Sequence, residues 1–274
     1  MKVFREPKKL QKWAKAQRLA GRKVALVPTM GYLHEGHLSL IAAARRKGAD
    51  EVVVSVFVNP VQFGPNEDYE RYPRDEKADL AKCRAAGATA VFFPTPANMY
   101  LDRHSVYVTE EDLSRGLCGA RRPGHFRGVC TVVAKLFNLA HPDFAVFGQK
   151  DYQQAQVIKR MVRDLNFDLD VVVSPIVREP TGLARSSRNT YLSPEEKERA
   201  LALSRSLASV SVGRLVRSER ARVEKALKSA GLVVDYVEFV DGETLEPVKR
   251  TAKGVCVLLA VYDGKTRLID NRVL

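Results

Sequence analysis

The sequence predicts an α/β chain, with a parallel sheet flanked by helices over residues 1–177 and a smaller α+β domain over residues 178–274. Three observations carry this. Short β-branched runs recur between stretches with helical spacing, the alternation that builds βαβ units and a parallel sheet. One of these runs, residues 52–58, reads Val-Val-Val-Ser-Val-Phe-Val, as a strand covered on both faces does. After residue 177 the pattern changes to a polar loop, two helical segments, a run over 233–240 alternating apolar with polar residues and two further strand-like runs, which suits an antiparallel sheet. With 274 residues, 45% of them hydrophobic and 28% charged, the chain can fill such cores and is too apolar to be disordered.

Residues 23–27 form a short buried strand closed by Pro28, and Gly31 and Gly36 then make a loop. A helix starts with Leu38-Ser39-Leu40-Ile41 and ends near Gly48. The strand 52–58 is followed by a helix over 75–86 and a strand over 90–93. A helix over 129–141, a strand over 144–147, a helix over 151–166 and a strand over 170–173 complete the first domain. This succession is Rossmann-like, and ligands of such sheets sit beyond the carboxyl ends of the strands. In the second domain Ser193-Pro194-Glu195-Glu196 is a capping box with Pro at the first helical position. Two helices, the second ending at Gly231, precede strands over 233–240, 255–262 and 267–271.

The formal net charge of +13 invites nucleic acid, a membrane surface or small anions. The basic runs are short (Lys8-Lys9, Arg45-Arg46-Lys47, Arg121-Arg122), without a basic arm, an aromatic-rich RNA-binding string or a helix-turn-helix pattern. The expectation is therefore no nucleic-acid partner. No apolar run approaches the roughly 20 residues of a membrane span, so no membrane partner is expected either. Residues 1–23 are basic and amphipathic, without the apolar block of a secretory leader. Cys83, Cys118, Cys130 and Cys256 are scattered, which excludes a cysteine zinc ribbon or a disulfide scaffold and fits a cytoplasmic protein.

Four segments carry chemistry. Between the first strand and the first helix, His34 and His37 stand three apart at a helix start, where unpaired N–H groups and the dipole suit phosphate. Two imidazoles there can donate to phosphate oxygens; alternatively they cap the helix, or bind zinc with a third ligand among His104, His125 and His141. After the buried strand comes Asn59-Pro60-Val61-Gln62-Phe63-Gly64, where Gln62 either binds a substrate hydroxyl or carboxylate or staples the loop. The aperiodic stretch 65–74 that follows has the length of a functional lid. In Gly148-Gln149-Lys150-Asp151-Tyr152-Gln153-Gln154, Lys150 stands at a strand end, while Asp151 and Gln154 have capping-box spacing. At the domain junction, Arg185-Ser186-Ser187-Arg188-Asn189 is either a compact anion clamp or an ordinary polar loop.

Together these segments resemble a known family. His34-Glu35-Gly36-His37 is similar to the His-x-Gly-His signature of a nucleotidyltransferase superfamily, and Ser186-Ser187-Arg188 to its Lys-Met-Ser-Lys-Ser element. Longer strings narrow this: residues 27–37, Phe57-Val58-Asn59-Pro60-Val61-Gln62-Phe63, residues 122–129 (Arg-Pro-Gly-His-Phe-Arg-Gly-Val), residues 147–154 and Ser186-Ser187-Arg188-Asn189. In this order they resemble the pantoate–β-alanine ligase family, densely over residues 24–192 and thinly beyond, where Leu268-Ile269-Asp270-Asn271 is similar to the family's ending.

The resemblance implies condensation of pantoate with β-alanine, using ATP and Mg²⁺ and releasing AMP and pyrophosphate through an enzyme-bound pantoyl adenylate. It implies that His34, His37, Lys150, Ser186, Ser187 and Arg188 line the ATP phosphates, with His34, His37, Lys150 and Arg188 catalytic. Met30, Gly148, Asp151 and Val177 would contact the nucleotide, and Thr29, Met30, Gln62 and Gln154 the pantoate. It also implies a homodimer formed through the N-terminal domain and a C-terminal domain that closes over the active site. There are departures. Arg185 stands where the family usually carries Met or Leu, and Gln149 where it carries Glu. The family's acidic pair reads Ala78-Asp79, which leaves Asp79 as the expected carboxylate for Mg²⁺. The rival readings are a nucleotidyltransferase that stops at nucleotide transfer, against which Gln62 and Gln154 argue, and a nucleic-acid binder argued from charge alone.

Overall fold

The computed structural model describes residues 1–65 and 67–274. The chain divides into two compact units, Met1–Gly148 with Gln154–Ser174, and Gln149–Gln153 with Pro175–Leu274. The division thus falls three residues before the expected boundary at 177/178, and a five-residue segment of the expected first domain goes with the second unit.

Among its described residues the first unit holds six parallel strands, β1 (Lys2–Phe4), β2 (Val24–Thr29), β3 (Glu51–Val56), β4 (Ala90–Phe92), β5 (Phe144–Gly148) and β6 (Asp170–Ser174). Their order is β1-β4-β3-β2-β5-β6, the Rossmann-like parallel sheet that the alternation predicts. The helices are α1 (Pro7–Leu19), α2 (Glu35–Arg46), α3 (Glu76–Ala85), the short α4 (Pro96–Met99) and α5 (Leu117–Arg121), α6 (His125–Ala140) and α7 (Tyr152–Asp164). Alternation of side chains along β2 sends Ala25 and Val27 to a core with Leu40, Ile41 and Ala44 of α2 and Cys83 of α3. Helices α1 and α6 pack together and against β2.

Three sequence expectations shift. Residues 2–4 form an edge strand registered with β4 (Lys2↔Ala90, Val3↔Val91, Phe4↔Phe92), too short to show a period. Pro28 continues β2 instead of closing it, because pairing with β5 ends at Leu26 and the missing N–H breaks no ladder bond there. Helix α2 starts at Glu35, ahead of its first apolar residue, because His34 caps it.

In the second unit, α8 (Pro194–Ala208) and α9 (Val216–Ser229) cover an antiparallel sheet of β7 (Val233–Asp241), β8 (Val255–Asp263) and β9 (Thr266–Val273), ordered β7-β8-β9. Leu201, Leu207, Val223 and Leu227 pack on Val237, Phe239, Leu259 and Leu268. The expected capping box forms: Glu196 N donates to Ser193 Oγ at 3.2 Å, and Ser193 N to Glu196 Oε2 at 2.8 Å. Among the described residues no helix is long and apolar enough to cross a membrane.

Candidate active site

From β2 the chain lays down β3 and β4 on one side, then returns to place β5 and β6 on the other. The carboxyl ends of β2 and β5 therefore flank the switch point, the crevice where doubly wound sheets take their ligands. Thr29 ends β2, Gly148 ends β5, and Gln154 lies in the first turn of α7.

The loop leaving β2 is held by one carboxylate. Gly31 turns it at φ +86°, where any Cβ would come 2.7 Å from Val56 Cγ1 and 3.0 Å from Asp79 Oδ2. Asp79 then accepts Tyr32 N at 2.9 Å and Leu33 N at 2.7 Å, one on each oxygen, and Lys82 Nζ donates to Leu33 O at 2.6 Å. Asp79 is 1% exposed. Burial pushes its carboxyl above the ordinary range, against the opposing pull of the two N–H bonds and Lys82.

The next residues form a capping box of two histidines. Gly36 N donates to His34 Nδ1 at 3.1 Å, and His34 N donates to His37 Nδ1 at 3.3 Å. The rings lie 4.1 Å apart, tilted by 36°. The capping alternative is therefore correct for the Nδ1 atoms. It does not exclude phosphate chemistry: a neutral ring whose Nδ1 accepts carries its proton on Nε2, so each ring becomes a donor at Nε2. Among the described residues no three His, Cys, Asp or Glu converge to hold a metal, so the zinc alternative finds no third ligand. Asp79, the carboxylate expected at Mg²⁺, has both oxygens on backbone N–H groups of the histidine loop.

Thr29, Met30 and Gln62 come together. Thr29 Oγ1 donates to Ser55 O at 2.7 Å and accepts Gly31 N at 3.2 Å, while Gln62 Nε2 donates to Met30 Sδ at 3.1 Å. Gln62 Oε1 accepts Asn59 Nδ2 at 3.0 Å. Asn59 is itself fixed, donating to Gly128 O at 3.1 Å and accepting the Tyr100 hydroxyl at 2.7 Å. The backbone of Gln62 is clamped from α6: His125 Nδ1 lies 2.9 Å from Gln62 O, and Gly128 has no room for a side chain, since a Cβ would lie 2.5 Å from Val61 O and 2.6 Å from Gln62 Cα.

The stretch 65–74, expected to be a lid, is tied down among its described residues; Asn66 lies outside them. Arg122 donates Nε to Glu67 Oε1 at 2.8 Å and a second N–H to Glu67 Oε2 at 2.5 Å, and Phe63 packs edge-on against Tyr69 and Tyr72. Burial raises the Glu67 carboxyl, but the Arg122 guanidinium, with His125, outweighs it and holds the group below its ordinary range. A depressed carboxyl contributes stability that is present above its unfolded value of 4.5 and is lost as pH falls through the folded value. The urea midpoint of wild type should therefore exceed that of Glu67→Gln by the equivalent of about 2 kcal/mol at pH 7. The gap should close below pH 4.5. A pH-independent gap would mean that Glu67 acts through packing.

The second unit carries the remaining residues. Val177 O accepts Arg185 N at 2.9 Å, and Arg178 bridges to Ala184, so the loop folds back on itself before the clamp. Ser186 Oγ accepts Arg188 N at 3.3 Å and caps the 3₁₀ turn Ser187–Tyr191, while Asn189 Nδ2 donates to Ala184 O and Glu179 Oε1. Arg185 lies 4.0 Å from Glu179. Lys150 and Asp151 occupy the 3₁₀ turn Gln149–Asp151, with Lys150 Nζ 3.9 Å from Asp151 Oδ1.

Residues 2–273 match the family model described as pantoate–β-alanine ligase. The chain belongs to the pantoate–β-alanine ligase family. A pantothenate synthetase from Myxococcus xanthus is 55% identical over 272 residues, covering 96% of this chain and 92% of its own. Among solved structures, a pantothenate synthetase from Thermus thermophilus superposes with a TM-score of 0.91 at 44% identity, covering 100% of this chain and 99% of its own. A pantoate–β-alanine ligase from Francisella tularensis, complexed with β-alanine and a ligand named Beta-gamma ATP, superposes with a TM-score of 0.84 at 32% identity, covering 100% and 97%.

For a member of this family, sequence reasoning found the strings but missed the supports. Asn59, Arg122, His125 and Gly128 hold Gln62 in place, and Asp79 holds the histidine loop. The string 122–129 was the available signal: an Arg, a His and a Gly in a helix start that no substrate role absorbed.

Proposed function

We propose that this chain joins pantoate to β-alanine in two steps on ATP. The pantoate carboxylate attacks the α-phosphorus, the bond to the β-phosphate oxygen breaks, and pyrophosphate leaves, giving pantoyl adenylate. The neutral amine of β-alanine then attacks the acyl carbonyl, the bond from that carbon to the AMP oxygen breaks, and the amine's proton passes to solvent or phosphate, giving pantothenate and AMP. A carboxylate is already ionised at pH 7, so the first step needs charge neutralisation and in-line positioning rather than a base.

The observation that carries this proposal is the reciprocal histidine box beyond β2, which fixes both rings as Nε2 donors at a helix N-terminus. Such donors suit the charge that develops on the phosphates. We assign Lys150, Ser186, Ser187 and Arg188 to the same phosphates, and Gly148, Asp151 and Val177 to the nucleotide. Thr29, Met30, Gln62 and Gln154 are assigned to pantoate, with Met30 also beside the nucleotide. The Met30–Gln62 hydrogen bond supports a shared pantoate pocket. ATP and β-alanine as substrates are supported by the Francisella complex. Mg²⁺ enters as part of the MgATP substrate, held chiefly by the phosphates, since this cation takes one or two carboxylates at most and keeps several waters. A homodimer through the first unit is supported by exposed Leu101, Val106 and Tyr107, apolar side chains that a partner would cover.

The test is exchange of labelled pyrophosphate into ATP with β-alanine absent. Exchange should require pantoate, and His34→Ala should lower it about 100-fold, the cost of losing one preorganised donor. Adding β-alanine should then release AMP. Absence of exchange from folded protein with MgATP and pantoate present would overturn the two-step reaction.

A further inference from the structure

The sequence ends its resemblance on Leu268-Ile269-Asp270-Asn271, four residues of β9 that the chemistry above does not use. Two of them are polar and nearly fully buried, Asp270 at 3% and Asn271 at 2% exposure. Because side chains alternate along a strand, consecutive residues project to opposite faces of the sheet. Each of these two reaches a different segment that the proposed function assigns to ATP.

Asn271 grips the Lys150 turn by its backbone. Its Nδ2 donates to Gln149 O and to Lys150 O, both at 2.9 Å, and its Oδ1 accepts Gln149 Nε2 at 3.2 Å. Three of the amide's four hydrogen-bonding positions are matched to one dipeptide, so the carbonyl of Lys150 and that of the residue before it are fixed by the same side chain. Asp270 grips the other segment. Its carboxylate takes both arms of Arg178, at 2.7 and 2.9 Å, and Arg178 also donates to Gly182 O at 3.1 Å. Arg178 is bridged to Ala184, the residue that leads into Arg185-Ser186-Ser187-Arg188. Asp270 also accepts the backbone N–H of Asn271 at 2.8 Å, which ties the two grips to each other.

We infer that Asp270 and Asn271 are positioning residues for the ATP-handling side chains of the second unit: Asn271 sets the backbone from which Lys150 extends, and Asp270, through Arg178, sets the loop that ends in the serine–arginine clamp. Neither touches substrate in this assignment. The inference rests on the roles proposed above for Lys150 and the clamp, and it explains why a buried strand end of the smaller unit carries two polar residues where apolar ones would pack.

The experiment is steady-state kinetics of Asn271→Ala and Asp270→Asn in the full chain, with a double-mutant cycle through Lys150→Ala. Asn271→Ala should lower kcat about 100-fold, as a misplacement near 1 Å does, while the KM for pantoate stays within about twofold. Asp270→Asn should act mainly on the KM for ATP, raising it about tenfold. In the Lys150→Ala background Asn271→Ala should cost nothing further, because the side chain it positions is gone. Gln149→Ala, which removes one of the three bonds and leaves the fold little disturbed, should lower kcat severalfold and serves if Asn271→Ala unfolds. Losses that multiply in the Lys150→Ala background, or a KM for pantoate that rises together with that for ATP, would overturn the inference and reduce the pair to a fold element. Full activity of Lys150→Ala itself would instead overturn the role proposed for Lys150, a different failure read from a different variant.

Discussion

Asp79→Ala should lower stability by about 4 kcal/mol and abolish pantoate-dependent pyrophosphate exchange. The change strips Tyr32 N and Leu33 N of their acceptor in a site that is 1% exposed, and each orphaned donor costs about 1–3 kcal/mol. It also leaves Lys82, which donates to Leu33 O, without the nearby carboxylate. The activity falls for a separate reason. Tyr32 and Leu33 lead directly into the histidine box, so releasing them frees the two rings from the positions that their Nδ1 bonds define. Asp79→Asn is the sharper variant. Its amide presents one acceptor and one donor where two acceptors are needed, so one N–H meets another. It should lose about half as much stability as alanine, yet most of the exchange activity. Thermal melts should show a fall of about 10 °C for alanine. An Asp79→Asn protein with wild-type exchange would assign the carboxylate to stability alone.

Gly128→Ala should raise the KM for pantoate at least tenfold and lower stability by about 3 kcal/mol, a large effect for one methyl group. The added Cβ would lie 2.5 Å from Val61 O and 2.6 Å from Gln62 Cα, and both obstacles are backbone, so no rotamer change relieves the clash. Either α6 lifts or the 3₁₀ turn Pro60–Gln62 moves. Asn59 bonds to Gly128 O as well as to Gln62, so both routes displace Gln62 from Met30. The KM for ATP should change little, since the histidine box is held separately by Asp79. Measuring both KM values separates these outcomes; an unchanged KM for pantoate in a folded variant would remove Gln62 from the pantoate pocket.

These two positions also mark where the sequence stopped being informative. Gly128 sits inside a helical pattern, where its only visible property is a weak helix preference; that it is the one residue small enough for α6 to rest on the Gln62 turn depends on a contact 66 positions away. Asp79 reads as the surviving member of an acidic pair and so as a metal ligand. Its oxygens face backbone N–H groups of a loop 46 residues earlier, and no local pattern announces that. His34 and His37 are the opposite case. Their spacing of three is a local property, and both the helix start and the pairing of the rings follow from it.

The sequence by itself determined the parallel sheet, the helices α2, α3, α6 and α7 that cover it, the antiparallel second unit, the family, and which loops leave the carboxyl ends of β2, β3 and β5. All of these follow from periodicity or from short strings, which are encoded among neighbours in the chain. Only the tertiary structure decided that Pro28 stays within its strand, that residues 2–4 pair at the edge, that Asp79 anchors a loop, and that Asp270 and Asn271 reach Arg178 and the Lys150 turn. Each of these is a hydrogen bond or a steric limit between residues tens of positions apart, and its energy exists only once folding has brought both partners to one place.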